Sequence, residues 1–132
     1  MVTKPLFVLL CSGEREKVQM AAMVVAVAAV SDRPIQLFVS MNAVLAFEKG
    51  RRPEERYHGG KFATILQEKK APDPVELIVQ GKMLGELKVY ACSMALDVLG
   101  WELENLIDGV FDGALGLTKF LADAETGDFV TF

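Results

Sequence analysis

Cys92 is the residue best placed for chemistry in this sequence, because it stands between a run that reads as a buried strand, Leu87 to Ala91, and a short helical stretch opening at Ser93-Met94. A thiol at such a junction lies close to the unpaired amides that begin a helix. Those amides and the helix dipole stabilise the thiolate, which is the nucleophilic form. The plainer reading of Cys92 is a small apolar core residue, and the residues alone leave both open. Cys11 has the same placement ahead of Ser12-Gly13, but it closes the unbroken apolar run Pro5 to Cys11, where burial raises a thiol pKa. Cys92 is therefore expected to be the more reactive thiol. Cys11, Ser12, Ser93, Met94, His58 and Trp101 are the candidates for binding or support around it.

Other chemistry finds little footing. His58 stands alone in a polar loop, where a solvated side chain is the ordinary outcome. Arg51, Arg52, Arg56 and Lys61 could rim an anionic site, yet Glu54 and Glu55 among them read as a plain solvated loop. Gly13 and Gly116 lack the partners of a GxGxxG or GxxxxGK loop, and neither cysteine has an arginine six positions downstream. Asp97, Glu102, Glu104, Asp108 and Asp112 fall in no metal-binding pattern, so neither a metal nor a cofactor is expected.

The chain has 132 residues, which fits one domain over 1–132, and a net charge of -4. Its 14 basic residues are scattered rather than striped, against 18 acidic ones, so the counterion-release basis of nucleic-acid binding is missing. Two well-separated cysteines with no CxxC pair exclude a zinc ribbon and a disulfide scaffold and suit a reducing, cytoplasmic setting. Pro5 to Cys11 is too short for a secretion signal. Val18 to Val30 falls short of the ~20 residues that span a bilayer, so no membrane span is expected.

The continuous apolar run Pro5–Cys11 reads as a strand covered on both faces, and the short runs Ile35–Ser40, rich in Ile, Phe and Val, and Leu87–Ala91 read as the second and third strands. Between the first two, Ser12 is expected to cap a helix reaching Val30, with Glu14 and Glu16 in its first turn. Asn42 is expected to cap a helix ending near Gly50. Residues 50–61 read as a mobile loop bordering the Cys92 crevice, with Gly59-Gly60 lowering its stiffness. Helices follow at Phe62–Lys70 and Val75–Leu84, then a short one at Met94–Leu99, a turn at Leu103–Ile107 and a last helix at Leu115–Ala124. Gly109–Phe111 and Phe129–Phe132 are the remaining strands. Alternation of strand and helix predicts an α/β fold with a mostly parallel five-stranded sheet.

The segment from Lys88 through Cys92 to Gly100, followed by Glu104-Asn-Leu-Ile-Asp-Gly109-Val, resembles the cysteine segment of the DsrE/DsrF-like sulfur-transfer family, in particular its DsrE2/DsrE3 branch. Met20–Val30 resembles that family's alanine-rich first helix, and Leu37 to Leu45 its second strand and the helix entry after it. The resemblance implies a three-layer α/β/α sandwich of flavodoxin-like appearance, with Cys92 carrying persulfide or thiosulfonate sulfur. It also implies rhodanese-like and TusA-like partners and homo-oligomers of three or six subunits. Trp101 after Gly100, and a cysteine at position 11, depart from the pattern and leave room for a changed pocket or a second thiol.

Two other functions stay open on the residues: a binding module that takes a small anion or a peptide in the same crevice, and a redox sensor using Cys11 and Cys92. The sensor depends on strand order. A 2-1-3-4-5 sheet would make strands one and three neighbours, whereas the 4-3-2-1-5 order implied by the resemblance separates them, favouring independent thiols. A homo-oligomer is expected on separate grounds. Val18, Ala22, Val25 and Ala29 already give the first long helix its core stripe, and Met20, Met23, Val24, Val27 and Val30 leave a second apolar surface.

Overall fold

Continuous apolar strands need cover on both faces, and the chain supplies it with helices on either side of one sheet. The computed structural model describes residues 3–132. The strands are β1 (Leu6–Leu10), β2 (Ile35–Val39), β3 (Leu87–Cys92), β4 (Gly113–Leu115) and β5 (Asp128–Thr131). All pairings are parallel, in the order β4-β3-β2-β1-β5. The helices are α1 (Arg15–Val30), α2 (Asn42–Leu45), α3 (Lys61–Glu68), α4 (Pro74–Leu84), α5 (Ser93–Leu99) and α6 (Leu117–Ala124).

The stripe Val18, Ala22, Val25 and Ala29 is fully buried, laying α1 on β1 and β2 and against α4. The two helices approach closely at Gly85, where an added Cβ would sit 2.4 Å from the Ala29 carbonyl oxygen. On the opposite face Phe120 of α6 stacks on Phe38 with ring centroids 4.8 Å apart and meets Phe7 edge-on at 6.0 Å. The result is the α/β/α sandwich with a five-stranded parallel sheet.

Several boundaries differ from the pattern in the sequence. The first helix is capped at Glu14 rather than Ser12, whose hydroxyl accepts from the Glu14 N–H at 3.1 Å and forms a turn just ahead of the helix. Met41, not Asn42, occupies the cap of α2, and that helix ends at Leu45 instead of Gly50. Phe47 is fully buried against Phe111, and Lys49 N–H donates to the Asn105 carbonyl, so tertiary packing draws this stretch out of the helix. The fourth strand lies at Gly113–Leu115, not Gly109–Phe111. Leu106 and Val110 are buried in the core, Gly109 turns the chain at φ +80°, and pairing with β3 starts only where Asp112 N–H meets the Val89 carbonyl.

Candidate functional site

Ligands of open parallel sheets gather at the carboxyl ends of the strands, and both cysteines are there. Leu10 pairs with Val39 and Val39 with Ala91, so the next residues, Cys11, Ser40 and Cys92, stand side by side along that edge. Ser40 N–H continues the ladder to the Leu10 carbonyl at 2.9 Å. Two strand spacings therefore separate the thiols, roughly 9–10 Å, beyond the ~7 Å between Cα atoms that a disulfide tolerates. Both are free. This geometry gives no support to an internal disulfide.

Cys92 ends β3 and is the cap residue of α5, with only 4% of its surface exposed; its side chain makes no capping hydrogen bond. Cys11 is the less buried of the two, the reverse of the order expected from its apolar run. Its thiol is nevertheless pushed above its ordinary pKa, first by burial and then by the nearby Cys92.

Met94 lies exposed in the first turn of α5 and Ser93 half-buried before it. Met94 helps to line a groove of about 220 Å³ with Met41, Leu45, Ala95, Val98 and Leu99. Met41 is held at φ 52°, ψ -137°, a conformation that costs a residue with a Cβ about 1–3 kcal/mol and recurs at functional edges. Trp101 is half-buried against the core, its backbone N–H donating to the Leu96 carbonyl in the turn that Gly100 makes at φ 68°.

The 51–61 segment departs from expectation. It contains a 3-10 turn at Pro53–Glu55, and backbone bonds fasten it to the start of α1: His58 N–H to the Gly13 carbonyl at 3.3 Å, and Arg15 N–H to the His58 carbonyl at 2.6 Å. Glu16 Oε2 accepts from the Gly60 and Ala63 N–H groups at 2.9 and 3.2 Å, anchoring α3 as well. Arg56 pairs with Asp73 at 3.3 Å. Two cavities that this segment lines contain neither thiol, though one of them reaches Asn42 and Leu45 of the Met94 groove, and His58 sits at the Ser12–Gly13 corner.

The groove of Met41, Leu45 and Val98 was not singled out by the sequence, in which isolated apolar residues at helix starts look like core. The signal would have been the Met41-Asn42 step immediately after a strand. A cavity of about 520 Å³ lies at the amino end of the sheet around Gln36, Lys82 and Asp112, away from both thiols. Among the described residues no helix is long and apolar enough to cross a membrane, and no group of three His, Cys, Asp or Glu side chains is arranged to hold a metal.

A model of the DsrE/DsrF/DrsH-like family matches residues 55–132, a segment that contains β3, Cys92 and α5. The chain belongs to this DsrE-like family. Membership ties it to sulfur relay. Among solved structures, a protein of unknown function from Methanobacterium thermoautotrophicum, MTH1491, is similar with a TM-score of 0.62, covering 98% of this chain and 99% of its own. At 10% identity that likeness shows a shared DsrE-like fold and nothing of activity. No curated protein matches the sequence significantly.

Proposed function

We propose that this DsrE-like chain is a sulfur carrier that holds sulfane sulfur on Cys92 and passes it to partner proteins. The observation that supports this best is the position of Cys92 at the β3–α5 junction, on the carboxyl edge of the sheet and inside the segment that matches the family. In the first step the Cys92 thiolate attacks the outer sulfur of a donor persulfide, the donor S–S bond breaks, and the donor leaves as its thiolate. An acceptor thiolate then attacks the outer sulfur of Cys92 persulfide and regenerates the Cys92 thiolate. One sulfur moves in each step and no net oxidation occurs. A thiosulfonate adduct forms in the same manner from tetrathionate, with thiosulfate leaving.

Deep burial of Cys92 favours donors and acceptors that reach in along the neighbouring apolar groove, consistent with rhodanese-like and TusA-like proteins presenting a cysteine on a segment. The two free thiols suit a reducing compartment, the cytoplasm. The exposed face of α1, with Val27 62% and Val30 58% exposed beside Met20 and Met23, favours assembly of a homo-oligomer, with three or six subunits in line with the family.

The test is discharge. Protein loaded with labelled persulfide is mixed with a single-cysteine TusA-like acceptor, and label is followed on both. Transfer from wild type and from Cys11→Ser, with none from Cys92→Ser, is the expected result; label that stays on the loaded protein, or transfer surviving Cys92→Ser, overturns the assignment.

A further inference from the structure

Arg15 opens α1 with its side chain turned inward, and only 8% of the residue is exposed. Its Nε donates to Gln19 Oε1 at 2.9 Å, and its guanidinium carbon lies 5.4 Å from the centre of the Tyr57 ring. Among the described residues no carboxylate lies within ion-pair distance of it. Three of the nearby acids have partners of their own: Asp73 holds Arg56 and caps α4 through the Val75 N–H, Glu16 anchors α3 through Oε2 while its Oε1 is buried beside Gly59 without a hydrogen-bond partner, and Glu54 faces Arg52 at 3.7 Å. A guanidinium stays charged at any working pH, and a buried charge without a counter-ion carries a desolvation cost that a ring face only partly offsets. A cavity of about 150 Å³ opens at this point, between the start of α1, the Tyr57–Gly59 stretch and the first turns of α3. Thr64, Gln67 and His58 line it with Arg15 and add a hydroxyl, an amide and an imidazole.

We propose that this cavity is a binding site for a small oxyanion, a carboxylate or a sulfur oxyanion, with Arg15 as its counter-ion. The terminal nitrogens of Arg15, unused by Gln19, form the fork that grips two oxygens of such an ion. The bound ion supplies the ion-pair partner that Arg15 lacks. Glu54, which lines the cavity, and the unpartnered Glu16 Oε1 beside Gly59 oppose an anion there and set the affinity from the other side. The inference is independent of the role of Cys92.

Titration of the full-length protein with thiosulfate, sulfite and acetate at constant ionic strength, followed by calorimetry and amide NMR, tests it. Saturable binding near 1 mM or tighter is expected for at least one of the three. The shifts should centre on Arg15, His58, Gly59 and Thr64. Preference for the sulfur oxyanions or for acetate identifies the source. Arg15→Met should weaken binding at least about tenfold, and Glu54→Gln should tighten it a few-fold. Because Arg15→Met removes a buried side chain, Thr64→Leu provides a second arm: it fills the cavity from an exposed position, keeps Arg15, and should abolish binding in a protein that still melts cooperatively. Absence of saturation by all three anions, or binding unchanged in Thr64→Leu, overturns the proposal.

Discussion

Replacing Gly85 with alanine separates steric from conformational cost in this fold. Gly85 ends α4 at φ -161°, extended backbone open to any residue, so alanine meets no torsional penalty there. What it meets is α1: its Cβ would lie 2.4 Å from the Ala29 carbonyl oxygen, 2.9 Å from the carbonyl carbon and 3.0 Å from Cα. All three are backbone atoms of a fully buried residue, so relief requires the two helices to part by most of an ångström. Overpacking of this kind costs about 1–3 kcal/mol, and with rigid backbone on both sides the upper end, ~3 kcal/mol, applies. With about 2.1 cal/mol/K of unfolding entropy per residue, that lowers the melting temperature by roughly 11 °C. Gly100→Ala is the converse case. Gly100 has φ +68° and nothing within 4 Å of an added Cβ, so alanine bears only the left-handed penalty, ~1–2 kcal/mol, partly offset by a stiffer unfolded chain. Its melting temperature should fall by about 2–4 °C. Differential scanning calorimetry of both variants decides the matter. Equal losses, or a Gly85→Ala variant within about 3 °C of wild type, would refute the reasoning from helix contact.

Asp112 links stability to pH. Burial acts to raise its carboxyl, but the Lys82 ammonium at 2.6 Å and the Val89 N–H at 2.8 Å outweigh burial and hold it below the ordinary carboxylate value. Its stabilisation is therefore complete above the unfolded value of ~3.9 and fades as pH falls through the lower folded value. The melting-temperature gap between wild type and Asp112→Asn should be full near neutrality and narrow below about pH 3.9; an equal gap at both ends contradicts this. Removing Cys92 removes one of the two influences that raise the Cys11 pKa, so Cys92→Ser should shift the midpoint of Cys11 alkylation by iodoacetamide to lower pH. An unmoved midpoint disconnects the thiols. Val27→Glu places a charge in the exposed stripe of α1 and should turn an oligomer into smaller species in sedimentation, and a wild-type protein already monomeric at micromolar concentration removes the oligomer altogether.

The parts of this molecule that the sequence makes legible are those in which local pattern and tertiary fate agree. Pro5–Cys11 is a continuous apolar run that fits a sheet covered on both faces, and Ile35–Ser40 and Leu87–Ala91 are short, mostly apolar runs broken only by Gln36, Ser40 and Lys88. Val18, Ala22, Val25 and Ala29 form a helical stripe that the core takes in whole. Cys92 is legible as a junction residue because Gly100 and the short run before it mark the helix that follows. The 42–50 and 109–115 stretches are not legible in this way. Phe47 leaves a helical pattern to reach the core, and Gly113-Ala-Leu115 is too short and small-sided to announce a strand, its pairing being fixed by Asp112 and Val89. The 51–61 segment looks mobile in sequence because its ties are backbone bonds to Gly13 and Arg15, which composition does not encode. Arg15 escapes notice for a related reason: a charged residue at a helix start reads as solvated, and only the fold buries it beneath Tyr57.

The site of adduct formation shows most directly whether sulfur resides on Cys92. Wild type, Cys11→Ser and Cys92→Ser are exposed briefly to polysulfide or tetrathionate, and the adduct is located by peptide mass spectrometry. An adduct is expected on Cys92 in wild type and Cys11→Ser, with little on Cys11 of the wild type, where burial and then the neighbouring Cys92 raise the Cys11 pKa. An adduct that forms on Cys11 first, or a Cys92 that stays unmodified in the folded protein, would contradict it.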